Sequence, residues 1–344
     1  MEQRPGPVTI RDIAKAAGVS VATVSRTLNG SPSVDPELAR RIKVEVERTG
    51  YVRNAMGRAL RRQVSDVWAA IVPDLNTFYT GVVSSFESTA IEAGYSVMLC
   101  NSNEELARER RYAVAATAQQ MAGAVLAVTS EHDTEPIRTL AASMPVVLFD
   151  REVSGYTGDC VVVDNEMTGR LVGQHLLAQG FERPACIVGP VGVSSTEGRL
   201  QGFLRAMADA GVGVPPERVV RVPLRPEEGA RAMRELMALP VPPDAVFATT
   251  GPLTIGVYQT LQELGVRIGS SVALVGHDDD QWTQIVAPQI SVIRQPVAQI
   301  GVAVAERLIA RANGLEGPGL RQVLAPELVV RQSSLRGDGP LRGE

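Results

Sequence analysis

The chain has 344 residues, 44 % of them hydrophobic, enough to bury the cores of two or three domains, which excludes a disordered tail or a small scaffold in need of staples. Its net charge of −4 gives no sign of a polyanionic partner, yet residues 1 to 63 carry 12 Lys and Arg against 6 Asp and Glu, while the remaining 281 carry 22 against 32. A basic head on an acidic body points to nucleic acid at the head alone.

Cys100, Cys160 and Cys186 are odd in number, widely spaced and without a CxxC pair, which suits free buried thiols in a reducing compartment. The start MEQRPGPVT has no apolar signal core, and no apolar run approaches the ~18 residues of a membrane span, so a soluble, cytoplasmic chain is expected.

Thr9 and Asp12 form a candidate capping box, and Ile10, Ile13, Ala14 and Ala17 recur at helical spacing. Gly18 ends this helix, Ser20 caps the next, Val24 and Leu28 give it an inward face, and Asn29-Gly30 stops it. Two short helices about a glycine turn have helix-turn-helix spacing. A third helix starts at Asp35-Pro36, turns Leu38, Ile42 and Val46 inward and ends at Gly50.

The second helix has an outward face of Val21, Ala22, Thr23 and Arg26. In a major groove, Val21 and Ala22 suit thymine methyls, Arg26 suits guanine, and Ser20 or Thr23 suits phosphate. Thr9, Ser25, Asn29 and Tyr51 complete the expected DNA-contacting set of the head. A three-helix module for docking a protein is the competing reading, and it leaves the local charge unexplained.

Residues 51 to 63, YVRNAMGRALRRQ, hold a short helical pattern from Asn54 that is interrupted by Gly57, too brief to be stable alone. The expectation is a segment that becomes helical on DNA, with Asn54 and Arg58 among its DNA contacts and Leu60 wedged into the minor groove. A charged linker with an incidental leucine is the alternative.

From Asp66 onward, strand-like runs (VWAAIVPD, SVMLCNS, GAVLAVT, PVVLFD, CVVVDN, ACIVGP, AVFATT, VALVGHDD) alternate with helical stretches such as 80–93, 104–122, 166–179 and 195–210. This predicts parallel sheets covered on both faces, arranged as two similar α/β lobes with a ligand at the strand ends between them. The candidate effector contacts just past those ends are Asn76, Phe78, Tyr79, Asp150, Ser194, Thr196, Arg199, Thr250, Asp278 and Trp282, with Arg151 and Ser195 beside them. Aromatic faces beside carboxylates, an arginine and hydroxyls suit a small hydroxyl-rich or heteroaromatic ligand, and each residue is equally suited to a salt bridge or a helix cap.

Asp278, Asp279 and Asp280 beside His277 raise the question of an enzyme. The chain has no GxSxG, HExxH, GxxxxGK[ST] or GxGxxG after its first strand, and adjacent side chains at a strand end alternate in direction. No catalytic residue, metal or cofactor is expected.

The ordered set TIRDIAKAAGVSVATVSRTLNG, ARRIKVEVERTGYVRNAMGRALRR, AAIVPDLNTFYTGV, FDR, VVVDN, GRLQGF, LVGHDDDQW and ISVIRQPVAQIG resembles the LacI family of bacterial transcription regulators from about residue 8 to 333. The resemblance implies a helix-turn-helix headpiece at 8–53, a hinge helix and linker at 54–65, a periplasmic-binding-protein-like effector and dimerisation core at 66–333, and a flexible tail at 334–344. It implies a homodimer, sometimes a tetramer, that binds a pseudopalindromic operator, usually represses, and is nucleoid-associated when bound. The effector it implies is most often a sugar. Val21 and Ala22 match its base-reading pair, Leu60 its hinge leucine, and Arg199 and Asp278 its effector contacts. Where the family commonly has an AND run, this chain has Ala248-Thr249-Thr250-Gly251-Pro252, which replaces a sugar-binding amide with Thr250 and loses the following acid. A transport or sensing receptor with the same two-lobed core is the second reading, and it has no use for the basic head.

Overall fold

The structure is a computed structural model and describes residues 8–28, 33–51 and 64–336. Its contacts divide the chain into two units, Met1–Ser65 and Asp66–Glu344.

In the first unit, α1 (Ile10–Ala17), α2 (Val21–Leu28) and α3 (Pro36–Thr49) enclose a core of Ile13, Ala14, Ala17, Val24 and Ile42. Asp12 accepts from both the Thr9 N–H (2.8 Å) and the Thr9 hydroxyl (2.7 Å), which fixes the start of α1. Gly18 turns the chain at φ 65°, and Arg41 of α3 donates to Ala17 O at 2.6 Å, closing the otherwise open end of α1. Asp35 caps α3 through the Glu37 and Leu38 N–H groups, with Pro36 at the first turn.

The second unit has two six-stranded sheets. The strands are β1 (Val67–Val72), β2 (Ser96–Asn101), β3 (Gly123–Leu126), β4 (Val146–Phe149), β5 (Asp159–Val163), β6 (Pro184–Val188), β7 (Val219–Arg221), β8 (Ala245–Ala248), β9 (Ala273–His277), β10 (Ser291–Arg294), β11 (Arg321–Leu324) and β12 (Glu327–Val329). The first sheet runs β11-β5-β4-β3-β1-β2, all parallel; the second runs β12-β10-β9-β8-β6-β7, with only β12 antiparallel. The fully buried strands read as unbroken apolar runs because helices cover both faces.

On the first sheet, α4 (Thr77–Glu92) and the late helix α12 (Val297–Ala312) cover one face, and α5 (Leu106–Ala118) and α6 (Glu135–Ala141) the other. On the second, α7 (Asn165–Ala178) and α8 (Ser194–Asp209) lie opposite α9 (Pro226–Met237) and α10 (Gly251–Glu263), with the short α11 (Gln281–Ile285) following β9.

The lobes are not consecutive in sequence. The chain passes from β5 of the first to α7 of the second, returns from β10 to α12, and passes back from β11 to β12. Buried Asp159 fixes the return, because it accepts from Arg307 Nε and Arg311 Nε of α12, both at 2.6 Å, and from the Leu320 N–H at 2.8 Å. Burial raises its pKa, and these donors outweigh that and hold it low.

Two helix pairs pack almost backbone to backbone. A Cβ at Gly169 of α7 would lie 1.9 Å from Arg199 O of α8, and one at Gly202 of α8 would lie 2.0 Å from Glu166 O. Gly256 of α10 approaches Pro226 O of α9 in the same way, at 1.9 Å.

The strand and helix alternation matches the sequence reading, but β7, β10, β11 and β12 and the helices at 135–141, 226–237, 251–263, 281–285 and 297–312 lie outside the stretches named there. One expected boundary moves. Ser334, expected to open a flexible tail, is buried and bonded to His175 Nε2 and Ser291 Oγ, both at 2.7 Å, so the core runs past residue 333.

Candidate functional site: an interlobe cleft and an exposed recognition helix

In both sheets the strand order reverses direction between β1 and β3 and between β6 and β8, and the loops that follow the strand ends define a cleft of about 780 Å³. Asn76, Phe78, Tyr79, Asp150, Thr196, Arg199, Thr250 and Asp278 all line it, as do Arg151 and Ser195.

Asp150 and Asp278 each stand one residue beyond a strand, β4 and β9, in the left-handed region at φ 68° and 67°. Asn103 and Glu104, on the loop after β2, share that conformation at φ 55° and line the same cleft. L-residues hold this conformation only where the surroundings over-determine it, and its concentration here marks the cleft as the functional region.

Asp150 accepts from the Tyr79 hydroxyl at 2.6 Å. Burial and then the Asp150 charge push the Tyr79 hydroxyl pKa far up, so it remains a proton donor. Arg151, 3 % exposed, pairs with both oxygens of Glu104 at 2.5 and 3.0 Å and donates to Val128 O at 3.1 Å. Its Nε is buried without a hydrogen-bond partner.

Asp278 accepts from Gly251 N (3.2 Å), Gln295 Nε2 (2.8 Å) and His277 Nδ1 (3.1 Å). Burial opposes its ionisation, but His277, Gln295 and the Arg199 charge outweigh that and hold its pKa at about 2. Arg199 is 4 % exposed; its Nε donates to Asn165 Oδ1 at 2.9 Å and its Nη1 to Thr249 O at 2.7 Å. Nη2 of this cleft-lining residue makes no hydrogen bond among the described residues. Burial lowers the Arg199 pKa, with Asp150 and Asp278 opposing.

The lobes also touch directly. Glu131 of the first accepts from Ser194 N (2.7 Å) and Ser194 Oγ (3.0 Å), and Ser194 Oγ accepts from Glu152 N at 3.2 Å. Elsewhere Thr77 Oγ1 donates to Asp280 Oδ2 at 3.1 Å.

Two expected pocket residues lie off the cleft wall. Ser194 is engaged by Glu131 and Glu152 and leaves the wall to Val193, Ser195 and Thr196. Trp282 is half-buried against the second lobe's core, its ring 5.6 Å from that of Tyr258. Glu104 and Gln295 escape the sequence reading: the pattern places Glu104 inside a helix that begins only at Leu106, and β10, which ends just before Gln295, is only four residues long. Asp279, apart from the cleft, binds Arg294 and Arg331, both at 2.6 Å, so the three aspartates part company as alternation requires. No group of three or more His, Cys, Asp or Glu among the described residues could hold a metal ion.

In the head, Val21, Ala22 and Arg26 are exposed on α2, and Thr23 and Ser25 are half-buried. Ser20 Oγ accepts from Thr23 N at 3.1 Å and so serves as the α2 cap, and Thr9 belongs to the α1 capping box. Tyr51 packs against the small core and is half-buried. Asn29, Asn54, Arg58 and Leu60 lie outside the described residues.

A three-helix head with an exposed second helix, attached to a two-lobed α/β core with a strand-end cleft, defines a DNA-binding regulator rather than a transport receptor. Residues 9–54 match the lacI family of bacterial regulatory proteins, and residues 173–334 match a periplasmic binding protein-like domain. The ribose operon repressor of Halalkalibacterium halodurans is 30 % identical over 331 residues, covering 96 % of this chain and 98 % of that one. A transcriptional regulator CelR–cellobiose complex aligns over 96 % of this chain and all of that one at 29 % identity and TM-score 0.72. The lac repressor dimer bound to operator and the anti-inducer ONPF shares the fold with TM-score 0.85 at 22 % identity, over 96 % of this chain and all of that one.

The chain belongs to the LacI family. It is a DNA-binding transcription regulator and not an enzyme. No helix among the described residues is long and apolar enough to cross a membrane.

Proposed function

We propose that this protein is a cytoplasmic repressor that binds a pseudopalindromic operator as a homodimer and is switched by a neutral, hydroxyl-rich effector of the sugar class held between its lobes. The cleft's hydrogen-bonding balance carries the effector assignment. Asp150 and Asp278 line the cleft as acceptors, whereas Arg199 Nη2 donates. A hydroxyl both donates and accepts, so a polyol satisfies both kinds of group; a carboxylate would face Asp150 and Asp278, and an amine would face Arg199.

Thr250 stands at the amide position with its Oγ1 buried and without a partner. A hydroxyl there has a shorter reach and one donor in place of an amide's two. The ribose and cellobiose named for relatives set the range of candidates. In the head, Val21, Ala22 and Arg26 read bases, and the hinge segment around Leu60 couples lobe angle to operator affinity.

A thermal-shift screen of the full chain against pentoses, hexoses, cellobiose, sugar phosphates and nucleobases tests the assignment, followed by operator titration with each hit. A neutral sugar that raises Tm and changes operator Kd is expected. Stabilisation only by phosphorylated or heteroaromatic compounds would sink the neutral-polyol reading.

A further inference from the structure

At two of the three lobe crossings, the residue beside the pivot is an amide that holds a charged group of the cleft. At the first, Asp164 N donates to Leu324 O of the third crossing, and the next residue, Asn165, accepts Arg199 Nε at 2.9 Å. At the second, Gln295 stands between β10 and Pro296 and donates to Asp278 Oδ1 at 2.8 Å.

The helices beyond the first crossing leave little room for slack. With Gly169 and Gly202 bringing α7 and α8 into backbone contact, Asn165 at the start of one helix and Arg199 on the other shift together. Rotation of the lobes changes backbone angles at the crossings, and those changes are carried by the amides to Arg199 and Asp278.

Resting on the reading of the cleft as an effector site, we propose that Asn165 and Gln295 are positioning residues that couple the angle between the lobes to the placement of Arg199 and Asp278. Neither acts on the ligand through the bonds described; each acts through the charged group it holds. A ligand drawn against Arg199 and Asp278 therefore pulls on two pivots at once, and it needs no separate lid.

The test is ligand-free. Spin labels on V114C and V241C, exposed sites on the two lobes, report the interlobe distance in the full chain, with labelled chains diluted into unlabelled ones. Asn165→Ala should shift the ratio of the parent distance to other distances by about tenfold or more, the ratio that one hydrogen bond to a charged group governs. Asn165→Asp, which keeps an acceptor for Arg199 Nε, should restore it. In an Arg199→Ala background, Asn165→Ala should add nothing, because Asn165 acts through Arg199.

An unchanged distance distribution in Asn165→Ala, or an equal additional loss on top of Arg199→Ala, overturns the proposal. D-ribose added to the parent chain tests the underlying reading separately: absence of a Tm shift speaks against ribose, and the ligand-free cycle stands or falls without it.

Discussion

Replacing Asp278 with Ala removes one carboxylate that three donors use, those of Gly251, Gln295 and His277 at 3.2, 2.8 and 3.1 Å. Hydrogen bonds to a charged group contribute about 1.5 to 3 kcal/mol each, and they are not additive here because the three share one acceptor. Alanine also lacks the local bonding that makes φ 67° tolerable for aspartate, a further cost of about 1 kcal/mol. The expected loss is about 3 to 5 kcal/mol, of the size found when one partner of a buried charged set is removed. For a protein of this size, that lowers Tm by roughly 6 to 15 °C. An asparagine side chain at this position would keep the volume and the left-handed backbone, so Asp278→Asn should lose about half as much. Calorimetry of the two variants is the assay; if Asp278→Ala melts within about 2 °C of the parent, the carboxylate is not the acceptor described.

The same group sets an acid limit. Its folded pKa of about 2 lies below its ordinary 3.8, so its contribution of ~2 kcal/mol is present above 3.8 and is lost as pH falls toward 2; Asp278→Asn should remove this part of the acid transition in pH-dependent melts. Burial raises the Glu131 pKa, so the folded state holds the proton more tightly and stability declines as pH rises above 4.5; Glu131→Gln keeps an acceptor for Ser194 and should flatten that decline, and an unchanged slope would exclude Glu131 as its source. Gly169→Ala places a methyl 1.9 Å from Arg199 O and should cost about 1 to 3 kcal/mol in denaturant unfolding, so an unaltered midpoint would contradict the close packing of α7 on α8. Arg26→Ala should weaken operator binding about 10- to 100-fold at fixed salt and relax preference at one base pair, whereas unchanged affinity would remove Arg26 from the reading face.

Local chemistry made much of this protein legible. Capping residues and apolar spacing mark α1, α2 and α3, and Gly18 and Gly50 end the first and third, because a short helix is set by its own ends and one buried stripe. Apolar runs located eight of the twelve strands, and the strand-end rule alone brought forward Asp150, Arg199 and Asp278. The strands that escaped are short and carry charged residues, such as Arg221 and Arg294, so they lack the unbroken apolar run that marked β3, β4 and β8 at similar length.

The sequence by itself determined the parts: a basic helix-turn-helix head, an α/β body and a group of polar residues past the strand ends. Only the tertiary structure decided how the body divides. Residues 297–312 return to the first lobe because Arg307 and Arg311 find Asp159, about 150 positions earlier, and no local pattern encodes such a partner. It also decided which strand-end residues face the cleft, turning Ser194 to Glu131 and Trp282 against Tyr258 while bringing in Glu104 and Gln295. Residue type states what a side chain can bond, whereas the direction it points is set by the packing of elements far apart in the chain.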